Sequence, residues 1–154
     1  MNKIHLSVIV LPLFYLINAQ AHAEHSDGVI RLKSMNSVTA TVDKLETALK
    51  NKGMTIFKRV SHSGGAAKVG LELRQTELLI FGNPKVGTPL MQCQQLAALD
   101  LPQKALVYED ENGQVWFAYN DPAYIANRHK ITGCDDVIGK ISDALAKFSS
   151  VATR

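Results

Sequence analysis

Between Ile80 and Pro122, four prolines (Pro84, Pro89, Pro102 and Pro122) alternate with Gly82, Gly87 and Gly113. Proline breaks a helix interior and glycine readily ends one, so this spacing leaves room only for short elements. Residues 78–81, Leu-Leu-Ile-Phe, form a continuous apolar run that reads as a buried strand closed by Gly82-Asn83-Pro84. Thr88-Pro89 supplies an N-cap and a first-turn proline for a helix over about 89–99, which must stop before Pro102. Residues 104–109 and 115–119 read as strands, and Asn112-Gly113 between them suits the positive φ angles of a tight hairpin. Asp121-Pro122 then opens a short helix through about His129.

On either side of this block the apolar spacing is helical. Val38, Val42, Leu45 and Leu49 recur on one face, which predicts a helix over 41–52 capped by Thr39 or Thr41 and ended by Gly53. Asp43 suits the positive end of its dipole. Residues 54–61 alternate as a strand, broken at Ser63-Gly64-Gly65, with one helical turn expected over 66–70. Asp135 is expected to cap a last helix whose Val137, Ile141, Leu145 and Phe148 share a face. The resulting order, β-α-β-β-α-β-β-α, predicts an α+β class: one compact domain over 37–150, with helices on a mixed or antiparallel sheet of about five strands. Residues 24–36 read as a lead-in, with an edge strand over 29–32.

The first 23 residues have the organisation of a cleaved signal peptide. Lys3 supplies the positive n-region, residues 6–17 the apolar h-region, and Ala19, Ala21 and Ala23 the small residues before a cleavage site after Ala21 or Ala23. The apolar run is shorter than the ~20 residues of a spanning helix. The expectation is an exported chain, soluble after cleavage, periplasmic or secreted. Lys3 is the one charged residue of that segment, so sixteen basic residues against fourteen acidic ones remain, and the basic ones form no dense run. That distribution argues against a nucleic-acid partner.

From about Val38 to Phe148 the chain resembles the domain of unknown function 302 family (DUF 302). The phrases that carry the likeness are VDKLETALKNKG over 42–53, Val60-Ser61-His62, GLELR over 70–74, LIFGNPKVGTPLM over 79–91, Asp100-Leu101-Pro102 and the block 107–122. The resemblance implies a compact α+β domain and a homodimer in bacteria and archaea, with no established reaction and no cofactor to carry over. The family often has Asp before the histidine at the end of the second strand, where this chain has Ser61.

Cys93 and Cys134 are the only cysteines. In an exported domain an even count reads first as a disulfide or a buried pair; the competing readings are a redox thiol pair, for which the CxxC spacing is missing, and a metal or haem site. His62 closes a strand beside Ser63-Gly64-Gly65, where accessible backbone N–H groups would approach a ligand. His129 lies five residues before Cys134. Two imidazoles and two sulfurs would bind zinc, copper or haem iron only if the fold made them converge. Otherwise His62 caps a strand and His129 serves a helix C-terminus. Trp116 and Tyr119 lie an odd number apart, so they face opposite sides of their strand, one in the core and the other on a pocket wall or dimer surface. A chain beginning at His22 would also offer copper an amine and an imidazole together.

GxSxG, HExxH, P-loop and dinucleotide motifs are absent from the sequence. The expected function is therefore a homodimeric module binding a small ligand or partner in a pocket near His62, lined also by His129 and Tyr119. The alternative is an enzyme or a thiol or metal redox protein built on His62, His129 and the cysteines. A third reading is a structural accessory of an envelope assembly.

Overall fold

The structure is a computed structural model that describes residues 24–26 and 28–154. The expected leader, its cleavage positions and His22 lie outside the described residues. Among the described residues six strands form one sheet: β1 (Glu24–Ser26), β2 (Val29–Lys33), β3 (Thr55–Ser61), β4 (Thr76–Gly82), β5 (Gln103–Glu109) and β6 (Val115–Asn120). Their order is β1-β2-β6-β5-β4-β3 and every pair is antiparallel. The class is α+β, as expected, and the sheet is antiparallel rather than mixed. The segment read as a lead-in contributes β1 and β2; the strand expected at an edge over 29–32 is β2, which pairs with residues 116–120 of β6 on one side and with β1 on the other.

The described residues also form five helices: α1 (Val38–Asn51), α2 (His62–Lys68), α3 (Pro84–Cys93), α4 (Pro122–Arg128) and α5 (Asp135–Thr153). A 3-10 turn over Gln95–Leu99 follows α3. α1 and α5 pack on each other and on one sheet face. Alternation decides which strand residues meet them: Leu79 and Phe81 of β4, Ala105 and Val107 of β5, and Phe117 and Tyr119 of β6 are buried against Val42, Leu45 and Leu49 of α1. Ile141 and Leu145 of α5 close the same core. Each fully buried Leu or Phe contributes roughly 1.5–3 kcal/mol.

Several boundaries differ from the sequence reading, each because a side chain competes for the helix start. α1 begins at Val38 because the Ser37 hydroxyl accepts a bond from the Ala40 N–H (3.3 Å), while Thr41 is buried and donates to the Ser37 carbonyl (2.8 Å). Ser63-Gly64-Gly65 does not break the chain; it lies inside α2, whose cap is Ser61, accepting from the Gly64 N–H at 3.0 Å. α3 starts at Pro84, with Asn83 accepting from the Lys85 N–H at 2.9 Å, and Pro89 falls inside the helix instead of opening it. Cys134, not Asp135, occupies the N-cap position of α5, and Asp135 and Asp136 fill its first turn, where the dipole favours anions. In the β5–β6 hairpin only Gly113 is left-handed, at φ 76°, so Asn112 does not take the mirror-image turn.

Two polar networks hold the sheet. Arg59 Nε lies 2.5 Å from Glu77 Oε2 and its Nη1 lies 2.5 Å from Asp43 Oδ1, tying β3, β4 and α1 together. Glu77 is buried, and its carboxylate also accepts from the Thr39 hydroxyl at 3.3 Å. On the opposite face of the sheet, Asp110 accepts from the N–H groups of Asn112 and Gln114 (both 2.9 Å) and from Trp116 Nε1 (2.8 Å). Arg31 and Lys33 stack over the same indole, 5.1 and 5.5 Å from its centroid.

Removing one partner of a buried ion pair strands the other charge. Arg59→Ala should therefore destabilise the domain by about 2–4 kcal/mol in urea unfolding, whereas Arg59→Met with Glu77→Leu should recover most of that loss. The Trp116 bond, with the two backbone bonds, holds the Asp110 carboxyl below its ordinary value. Its contribution is then complete above the ordinary carboxylate range and is lost as the pH falls through the depressed value. Emission from Trp116, the only tryptophan, should hold steady down to about pH 4 and change below it, and Asp110→Asn should abolish that step.

Candidate functional site

A cavity of about 340 Å³ opens where the end of β4 meets α3 and α5. Phe81 and Gly82 form its floor, with Met54 and Phe57 from the start of β3 beside them. Along α3, Pro84, Gly87, Thr88 and Met91 recur at the three- and four-residue spacing that places them on one helical face, which is the wall toward the cavity. The facing wall is α5, where Ile141, Ala144, Leu145 and Phe148 follow the same rule. Leu101 and Pro102 close the end. The lining is almost wholly apolar; its polar members are Asn83, Thr88, Gln103 and Lys140, and no acidic residue is among them. Asn83 is already engaged in capping α3.

Both walls are fastened. Cys93, the last residue of α3, is bonded to Cys134 at the head of α5, with Cα atoms 6.5 Å apart. The Asp100 carboxylate, just before Leu101 and Pro102, lies 2.5 Å from His129 Nε2 and 3.3 Å from Arg128 Nη1. The Asp100 main-chain carbonyl accepts from Lys104 Nζ at 3.0 Å. The His129 ring, 6 % exposed at the end of α4, thus braces the segment that closes the cavity. It is not a wall residue.

The structure does not bring the expected site residues together. His62 is the exposed first residue of α2 and does not line this cavity. Ser61 pairs with Glu77 at one end of the β3–β4 ladder, while Thr55 pairs with Gly82 at the other, where the cavity lies. Seven residues of strand separate those ends by about 20 Å. A shallow, more polar hollow beside α2 is lined by Ser61, Ser63, Gly64 and the 71–75 loop, without His62 itself.

Tyr119 faces the core and not a pocket, in edge contact with Phe117 at 6.0 Å. Burial pushes its phenol above the usual tyrosine range, partly opposed by a hydrogen bond with Ser149. Trp116 faces the other side of β6, as the odd spacing requires. Among the described residues no group of three His, Cys, Asp or Glu side chains is placed to hold a metal ion.

The description "Domain of unknown function DUF302" matches residues 30–148. The chain belongs to this family. A crystal structure of an uncharacterized conserved DUF302 protein from Bacillus stearothermophilus has the same fold, with a TM-score of 0.74 at 20% identity over 82% of this chain and 98% of that one. The chain is 46% identical over 110 residues to proteins named fluoride-specific ion channel FluC 1 in Brucella suis biovar 1 (strain 1330) and Brucella abortus biovar 1 (strain 9-941). Those residues are 71% of this chain and 43% and 41% of the relatives, so it spans about two fifths of their length. No described helix is long and apolar enough to cross a membrane.

The cavity of this DUF302 domain leaves little trace in its sequence, because each lining residue also suits a place in the core. One signal was available: α5 carries Ala144 beside Ile141 and Leu145, a stripe wider than α1 alone can cover. Because the Cys93–Cys134 bond joins the two walls across a sequence separation of 41 residues, removing it should cost roughly 4 kcal/mol. The variant with Cys93→Ser and Cys134→Ser should therefore unfold at clearly lower urea than the oxidised protein, and dithiothreitol should lower the midpoint of the parent but not of the variant.

Proposed function

We propose that this DUF302 domain is an exported, homodimeric module that binds a small apolar molecule in the cavity between α3, α5 and the end of β4. The observation that carries the reading is the pairing of a concave, apolar lining with a few polar groups at its edge, the usual composition of a small-molecule site. Its volume falls at the lower end of the ~300–1,000 Å³ of such sites. Export is supported by the charged, apolar and small-residue order of the first 23 residues and by a bonded cysteine pair, which belongs in an oxidising compartment. The homodimer is supported by the sheet face away from α1 and α5, where Val60, Leu78, Ile80 and Leu106 form a half-buried apolar row across β3, β4 and β5.

Gly87 gives a direct test. A Cβ added there meets nothing within 4 Å, and the residue lies on the cavity face of α3. Gly87→Leu should fill the cavity while raising helix propensity by roughly 0.8–1 kcal/mol. The neutral fluorophore N-phenyl-1-naphthylamine should brighten on binding the parent protein. It should lose that signal by ten-fold or more in Gly87→Leu, whose thermal midpoint is unchanged or higher. Equal brightening by both proteins would remove the cavity as the site. Native mass spectrometry of the same samples should show a dimer that Leu78→Glu with Leu106→Glu converts to monomer.

A further inference from the structure

The charge at the cavity edge narrows the ligand class, on the reading that this cavity is the binding site. Lys140 is the one charged residue in the lining, one turn into the cavity wall from the head of α5. It makes no hydrogen bond or ion pair among the described residues. Its exposed ammonium and its four-carbon stem suit different media, the stem lying along apolar surface while the charge stays in water. Ile141, Ala144, Leu145 and Phe148 continue from it along the cavity wall.

The other charges of this region do not alter that picture. Asp136 and Asp143, one turn to either side of Lys140 on α5, are exposed and are not in the lining, and neither is Lys147. Arg128, His129 and Asp100 are occupied with one another behind Leu101. The site therefore has an apolar interior, one cation at its mouth and no anion.

We propose that the ligand is a single-chain amphiphile with a carboxylate head, its chain in the cavity and its head at Lys140. The head stays at the mouth, where it keeps part of its hydration. Burying the carboxylate in the interior would be strongly unfavourable without a partner there. The chain supplies affinity, about four-fold for each methylene buried. The head supplies orientation and sign selectivity, which salt at the mouth should screen.

The test is displacement of N-phenyl-1-naphthylamine from the full purified protein by three ten-carbon competitors held below their micellar concentrations: decanoate, decanol and decyltrimethylammonium. Decanoate should compete about ten-fold better than decyltrimethylammonium and several-fold better than decanol, and octanoate about fifteen-fold worse than decanoate. Lys140→Gln should bring decanoate to the level of decanol, Lys140→Glu should favour the cationic competitor, and Lys140→Arg should keep the parent order. Raising salt from 20 mM to 500 mM should shrink the head-group preference and leave decanol unchanged. If the fluorophore binds and the three heads compete alike, the carboxylate assignment is overturned while the cavity remains the site. If the fluorophore does not bind, the underlying reading fails instead. Sedimentation with phosphatidylglycerol vesicles together with no displacement by monomeric decanoate would overturn the proposal in favour of a membrane surface.

Discussion

Everything in this domain depends on how α5 divides one apolar stripe between two neighbours. Ile141 and Leu145 are buried against α1 and the sheet, yet the same residues, with Ala144 and Phe148, also form a wall of the cavity. A helix packed on a sheet normally closes its whole apolar stripe, because exposed methylenes are unfavourable. Here α3 stands opposite the outer half of that stripe without filling the space between. The small residues Gly87 and Ala144 both line it, and a Cβ added at Gly87 meets nothing within 4 Å, so space remains between the walls there.

Such a gap would collapse if the walls were free to move, since unfilled apolar space forfeits contacts on both sides. Two features outside the lining oppose that. The Cys93–Cys134 bond fixes the far end of α3 to the near end of α5. Asp100, held by His129 and Arg128, fixes the Leu101–Pro102 segment across the end of the cavity. The cysteine pair, whose first reading from sequence is a disulfide, and His129 thus brace the walls. The sulfurs are bonded to each other and the imidazole to a carboxylate.

The architecture was legible in the sequence wherever one signal ruled alone. The 3.6-residue stripes of α1 and α5 and the alternation of β4 and β5 are readable because each buries a single face, while β6, buried on both, is readable as an apolar run after a turn. Boundaries failed where two residues competed for one role. Asn83-Pro84 and Thr88-Pro89 are both good helix starts, and the earlier one wins because Asn83 reaches the Lys85 N–H, leaving Pro89 to be tolerated inside the helix. Gly64 and Gly65 read as a break, but they lie inside α2, where the Ser61 cap offsets part of their poor propensity, roughly 1 kcal/mol each. Tyr119 was ambiguous because alternation tells which residues share a face and not which face is inside.

The cavity was illegible for a deeper reason. A strand end, a proline-bearing helix and a long helix must meet at one corner before any of their residues is recognisable as lining, and their separations in sequence carry no trace of that meeting. His62 shows the converse. Its local sequence, a titratable ring beside glycines, makes it a candidate from sequence, but β3 and β4 run antiparallel, so Ser61 lies at the opposite end of the ladder from Gly82. The proposed site is the corner where β4 ends, and the side chains most worth substituting there are the bland ones: Gly87, Ala144 and Lys140, which makes no hydrogen bond or ion pair among the described residues.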